Sequence, residues 1–313
     1  MRYIDLLATA TLSILTLEVF LRLTFQQRSE NPARGFRSAM LDVARQLELF
    51  SATEPHPFLQ FTRPRPQLAD GDQEYGFHAI RLSDVPKPTG VVRIACIGGR
   101  STERGYPDFL QAYLNDAAHS QEFEVLNFAV DGWASVHSML NFILNVREFH
   151  PDIAIVHDEL RGAVCGGYPC QCRGRIHDYT PLPFRDNPLD EWMLRTSWIY
   201  RACKVLIARD RQAFDSDGRE LEQYRCNLQT ICTVAACDGI KVILLTLPCA
   251  TDDGSHHDAT RAVNESIRKI ANERRLALVE LENLSDADKT DNRITAERIG
   301  KRIIAMQSGS DAR

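Results

Sequence analysis

The alternation of apolar and polar positions divides the chain into three stretches. The first, Ile4 to Phe25, reads IDLLATATLSILTLEVFLRLTF, a nearly continuous apolar run. At ~1.5 Å of rise per residue, about 22 residues just cross a ~30 Å hydrocarbon core. This predicts a membrane-anchoring helix within residues 1–27, with the membrane contacted by residues 4–25. Glu18 and Arg22 lie four apart, on one helix face, where they can pair near the end of the segment. A cleaved signal peptide and a buried amphipathic helix compete with this reading. The first lacks a small-x-small cleavage site after the run.

Residues 28–90 form the second stretch, expected to be an extended linking segment packed on the domain that follows. Its later part, EPHPFLQFTRPRPQLADGDQEYGFHAIRLSDVPKPTG (54–90), is rich in proline and turn residues. Phe58, Phe61, Tyr75 and Phe77 call for burial rather than free solvent. The third stretch, 91–308, alternates short β-branched runs with helical periods. The runs are VVRIACIG (91–98), FEVLNFAV (123–130), DIAIVH (152–157), KVILLTLP (241–248) and LALVELE (276–282). Strands of this kind separated by helices predict βαβ units, and so a three-layer α/β/α sandwich around a parallel five-stranded sheet. Residues 158–219 break the rhythm as an insertion carrying CGGYPCQCRGR and one helix near Asp190 to Ala208. Insertions at strand carboxyl ends commonly shape the ligand crevice.

Composition narrows the classes. The 313 residues include 37 basic and 42 acidic side chains, for a net charge of -5, with 44% apolar and 25% charged residues. A disordered tail and a basic nucleic-acid coat are excluded, and no basic patch with interleaved aromatics implies a nucleic-acid partner. A mean hydropathy of -0.27 excludes a multi-span membrane protein. Orientation signals conflict. Arg22, Arg28, Arg34 and Arg37 follow the apolar segment while only Arg2 precedes it, which places the domain on the cytoplasmic side. Nine cysteines point instead to an oxidising compartment such as the periplasm.

Functional groups in open α/β sheets gather where strands end and helices begin. Four segments fall there: IACIGGRST (94–102), LNFAVDG (126–132), PDIAIVHDELRG (151–162) and TDNRITAERIG (290–300). Together they resemble the SGNH (GDSL-type) hydrolase family, and more specifically its membrane-tethered bacterial members. The resemblance implies an SGNH/flavodoxin-like fold and nucleophilic acyl transfer. In that chemistry a serine is activated by a histidine, the histidine is oriented by a carboxylate, and donors await the oxyanion.

Laid over the family pattern, the scaffold positions match and the chemical ones do not. Asn127 and Gly132 remain at the oxyanion-hole block. Arg100 stands at the serine, Glu159 at the third block's glycine, Arg161 at its asparagine, Thr290 at the aspartate and Arg293 at the histidine. Arginine has no nucleophilic atom and keeps its proton at any relevant pH. The pattern therefore implies a domain without catalytic residues. The role this implies is binding or structural, as an accessory subunit among other membrane-complex subunits, with no cofactor.

Two further readings stay open. Ser101, one residue beyond Arg100, offers a fallback nucleophile for an active esterase or acyl hydrolase of envelope carbohydrate or lipid, although no histidine lies near the last helix. Arg100, Arg161 and Arg293 converging on one crevice could instead bind an anion. Against that, Asp131, Asp158 and Glu159 stand at the same strand ends and can pair with the arginines. Cys165, Cys170 and Cys172 have the spacing C-x4-C-x-C, which lacks the paired C-x2-C units of a zinc site. It points to disulfides within the insertion or to Cys203 or Cys226, and to no metal.

Overall fold

The structure, a computed structural model, describes residues 2–26, 54–64, 77, 80, 81, 84–117, 121–158, 188–209, 219–248, 254–284 and 291–308. Among the expected site residues, Glu159, Arg161, Cys165, Cys170, Cys172 and Thr290 lie outside the described residues, as does Tyr75. In chain order the elements are helix α1 (Arg2–Gln26) and strands β1 (Glu54–His56), β2 (Gln60–Thr62) and β3 (Val91–Gly98). Helices α2 (Arg100–Glu103) and α3 (Pro107–Ala117) follow, then β4 (Glu122–Asn127), α4 (Ser135–Leu144) and β5 (Ile153–His157). The rest are α5 (Pro188–Thr196), α6 (Trp198–Arg209), α7 (Arg219–Cys237), β6 (Lys241–Leu245), α8 (Gly254–Arg274), β7 (Ala277–Val279) and α9 (Asn292–Gln307). These elements fall into two compact units. The helices α1, α5 and α6 make one, and the described residues of 54–158 and 219–308 make the other.

The larger unit is the α/β sandwich that the strand-helix rhythm predicts. Five parallel strands run in the order β4-β3-β5-β6-β7. Both faces are buried, which is why the strands read as continuous apolar runs rather than alternating ones. On one face Ile94, Cys96, Ile155 and Ile243 pack under α3 and α9 through Leu110, Leu114, Ile299 and Ile303. Ala95, Ile97, Ala154, Val156, Val242 and Leu244 point the other way and are equally buried, on the side where α4, α7 and α8 pack in series. Where α9 crosses α3, a Cβ on Gly300 would lie 2.3 Å from the Tyr113 ring, so only glycine lets the two helices approach.

The described parts of the segment before β3 fasten to this unit. Residues 54–62 form a two-stranded antiparallel hairpin. Phe61 and Phe77 are fully buried, as expected, and Phe77 packs edge-on against Phe128 and Trp133. Phe58 departs from the expectation and is exposed, because it occupies the hairpin turn at 57–59 where no element covers it. The strongest fastening is Arg93, which has no exposure although it sits in the middle of β3. Its Nε donates to Glu124 Oε2 on β4 at 2.6 Å, and Nη1 donates to the carbonyls of Phe149 at 2.7 Å and Val85 at 3.2 Å. One guanidinium thus joins the chain entering β3, the neighbouring strand and the turn before β5.

The smaller unit corrects one expectation. The single helix near Asp190 to Ala208 is two helices broken at Ser197, whose Oγ accepts from Tyr200 N at 3.1 Å and caps α6. Among the described residues no helix is long and apolar enough to cross a membrane. Cys203 and Cys226, considered as disulfide partners for the insertion, are free exposed thiols, because neither is bonded to a second sulfur.

Replacing Arg93 by methionine strands Glu124 and the Phe149 carbonyl, and is expected to cost about 3 kcal/mol. Denaturant midpoints of Arg93→Met and Glu124→Gln check this; an unchanged midpoint for Arg93→Met would show that the network carries no stability.

Candidate functional site

The sheet order places a topological switch point between β3 and β5, where chain crossovers diverge and a crevice opens at the carboxyl ends. Gly98 and His157 are register partners at that end. A Cβ on Gly98 would stand 2.3 Å from the His157 carbonyl oxygen and 2.6 Å from Thr102 Oγ1, so glycine is required for the strand to turn there. The four-residue helix α2 follows at once, with Thr102 N and Glu103 N donating to Gly99 O at 3.2 and 2.9 Å. Arg100 and Ser101 therefore sit on the rim, both exposed, while Thr102 is buried.

A chain of alternating charges runs across this rim. Arg100 Nε lies 4.0 Å from Asp131 Oδ2, and Arg104 Nη2 approaches the same oxygen to 3.4 Å. Arg104 also faces Glu103 at 3.7 Å, and Arg63 reaches Glu103 at 3.2 Å. The Glu103 side chain, only 5% exposed, additionally accepts from Asp131 N at 3.2 Å. A cleft of ≈ 230 Å³ lies beside these groups, lined among others by Arg63, Glu103, Arg104, Phe109 and Asn127.

The expected pairing is thus met by Asp131 for Arg100 and takes another form elsewhere. Arg293, on the first turn of α9, lays its guanidinium over the Phe109 ring at 5.6 Å and has no carboxylate partner among the described contacts. Arg100 and Arg293 consequently share no partner. Asp158 is buried and accepts from Ser138 Oγ at 2.6 Å. Asn127 is structural as well as positional. Its Nδ2 donates to Glu103 O at 3.0 Å, and its Oδ1 accepts from Ala129 N at 3.1 Å. Gly132 stands in the 131–132 turn with φ +84°, a left-handed conformation that suits glycine.

Of the histidines of this unit whose side chains are described, three have structural settings away from the rim and His157 lies beneath it. His56 Nδ1 accepts from Phe58 N and Leu59 N and closes the hairpin turn. His137 Nδ1 accepts from Ala134 N at 3.1 Å and stacks on Trp133. His150 takes a left-handed turn at the amino end of β5, the far end of the sheet. His157 is buried in the last position of β5, its ring centroid 6.1 Å from that of Tyr106. Neither its ring nitrogens nor the Tyr106 hydroxyl has a hydrogen-bond partner among the described residues. Burial pushes the imidazole down to about 4 and drives the Tyr106 phenol and Cys96 thiol upward, so all three are neutral at pH 7.

Sequence reasoning missed Glu103, Arg104, Arg63 and His157. Glu103 and Arg104 were readable as neighbours of the strand end, but nothing local marked a glutamate of an exposed-looking turn as buried. Arg63 reaches it from 40 positions upstream. Asp291, whose Oδ1 accepts from Arg293 N at 2.8 Å, is a plain aspartate cap of α9 and was legible from its place before the helix.

No protein-family model matches the sequence, and no curated protein matches it. Solved structures of similar arrangement include an acetyl xylan esterase with 14% identity, covering 68% of this chain and 100% of that one, at a TM-score of 0.43. A GDSL-like lipase from Bacteroides thetaiotaomicron shows 14% identity over 71% and 89% of the two chains at 0.40. A catalytic mutant of an acetylxylan esterase from Geobacillus stearothermophilus shows 12% over 68% and 92% at 0.43. These neighbours are esterases and lipases of the SGNH/GDSL type; at this level of likeness they transfer no residue role and no substrate.

The buried imidazole makes a signed prediction. A histidine whose folded pKa lies near 4, against 6.5 unfolded, leaves stability intact above pH 6.5 and removes it as pH falls toward 4. Between pH 7.5 and 5.0 its share is about 2 kcal/mol. Denaturant midpoints at both pH values should show that His157→Leu loses less than the wild type by that amount. Equal losses would show that His157 is not held neutral.

Proposed function

We propose that this chain is an SGNH-like domain that works without acyl-transfer chemistry, as a membrane-tethered binding or structural subunit. The observation that carries this reading is the charge chain Arg63–Glu103–Arg104–Asp131–Arg100 along the carboxyl ends of β3 and β4. A serine hydrolase needs a neutral, activatable hydroxyl here and a base across the crevice. In this chain the helix after β3 opens on Arg100, which lies 4.0 Å from Asp131, and the first turn of α9 offers a second arginine stacked on Phe109. Neither guanidinium can lose a proton to activate Ser101. Asp131 also answers the positive charge of Arg100 and Arg104, which lessens the pull of the rim on a free anion.

The accessory role follows from what remains when catalysis is removed: a rigid parallel sheet, a charged rim and an apolar N-terminal helix. Leu12, Leu15, Phe20 and other apolar side chains of α1 are exposed, which supports its use as the tether.

A fluorophosphonate probe is expected to leave the full chain unlabelled, and p-nitrophenyl acetate turnover is expected to be the same for wild type and Ser101→Ala. Labelling that disappears in Ser101→Ala would establish the active esterase instead. After gentle detergent extraction at native abundance, the chain is expected to elute within a larger assembly; a monodisperse free monomer would end the subunit reading.

A further inference from the structure

The charged pair inside the apolar segment has a partner that the sequence does not announce. Glu18 receives Trp198 N at 2.8 Å, Ile199 N at 3.0 Å and Ser197 Oγ at 3.2 Å. Its carboxylate therefore sits on the amino terminus of α6, where free peptide N–H groups and the helix dipole favour negative charge. Arg22, one turn on, bonds Glu18 at 3.1 Å and donates through Nη2 to Thr196 O at 2.6 Å. Thr196 is the last residue of α5, so the positive group meets the negative end of that helix. Arg201 completes the corner by donating to Leu194 O and to Arg195 O, with its guanidinium 4.7 Å over the Trp198 ring. The i,i+4 spacing of Glu18 and Arg22 matches the break between α5 and α6, acid to amino end and base to carboxyl end.

Two hydroxyls among the described side chains of this helix are satisfied within it. Ser13 Oγ donates to Thr9 O at 2.9 Å and Thr16 Oγ1 to Leu12 O at 2.8 Å, back-bonds that satisfy hydroxyls inside the helix. Its apolar side chains are exposed on every side: at 100° per residue, Leu12, Ile14, Leu15, Leu17 and Phe20 point around the whole circumference. A protein groove covers one face of a helix, whereas lipid covers all of them. Nine of the twelve exposed large hydrophobics among the described residues belong to this unit, including Leu189 and Trp192 of α5. The sequence of α6 carries no acidic residue, and with Arg201 buried in the corner its remaining charged residues, Lys204 and Arg209, are both basic, which suits an anionic headgroup layer.

We propose that α5 and α6 are a membrane-interface element, locked to the N-terminal helix by Glu18, with α1 entering an anionic bilayer and Trp192 resting at its surface. The lock removes the free charge of Glu18 from the lipid-facing surface and sets α5 at the level of the headgroups. This inference rests on the membrane placement proposed above and adds a role for residues 188–209, which the fold alone leaves unassigned.

The test uses the full chain reconstituted with vesicles of phosphatidylcholine and phosphatidylglycerol at three to one, floated on a sucrose gradient. Acyl-chain bromination then reports contact through tryptophan quenching, and Trp192→Phe isolates the share of Trp192. The wild type should float, with quenching that Trp192→Phe largely removes. Glu18→Gln should still float but lose about fivefold of the Trp192 quenching, the size expected for a lost cap. A chain that stays out of the lipid, alone or as a discrete oligomer, overturns the membrane placement and this inference together. A chain that floats without Trp192 quenching, or with the same quenching in Glu18→Gln, overturns the lock alone. Far-UV circular dichroism of each variant confirms that the helices persist.

Discussion

Charge withdrawn from water must be met by opposite charge or by peptide dipoles, and three sites in this chain are organised by that requirement. Arg93 is closed inside the sheet by Glu124 and the carbonyls of Phe149 and Val85. Glu103, nearly buried at the strand ends, is held by Arg63, Arg104 and the Asp131 amide. Glu18 is set on the amino end of α6. The first fixes the entry to β3, the second lies along the rim at the strand ends, and the third joins the N-terminal helix to the inserted pair.

The rim is shaped first by backbone requirements. Gly98 keeps the tight exit from β3, because the His157 carbonyl leaves no room for a side chain. Asn127 ends β4 and ties α2 to the strand through the Glu103 carbonyl. These are backbone requirements of the switch point, and they are independent of any nucleophile. The two arginines near this end are met in different ways, one by an acid and one by a ring. Asp131 receives Arg100, and Phe109 receives Arg293. His157 is buried beneath the rim, in an environment dry enough to suppress protonation, so this imidazole is neutral at pH 7.

Much of this architecture was legible in the residues. The five apolar runs mark the five strands, and their continuity marks a sheet covered on both faces. The observed strands β4, β6 and β7 are shorter than the runs, because an apolar run continues past the last ladder bond into the turn that packs on the core. Phe128, Ala129 and Val130 are buried after β4 in this way. Phe61 and Phe77 were readable as core; Phe58, of the same type and in the same segment, was not distinguishable from them, since exposure depends on the hairpin turn. The break at Ser197 was visible as a serine within a helical period, yet a mid-helix serine is tolerated often enough that the cap shows only with its Tyr200 partner.

The sequence by itself determined the parallel α/β class, the apolar N-terminal helix and the identity of the residues at the strand ends, because periodicity and strand-end chemistry are local properties. Tertiary structure alone decided which acid answers which base. Glu18 meets Trp198 across 180 positions, and Arg93 meets Phe149 across 56. A charge in the sequence looks the same whether solvent or a distant helix end will receive it. Only the folded chain brings the two together and removes the water between them.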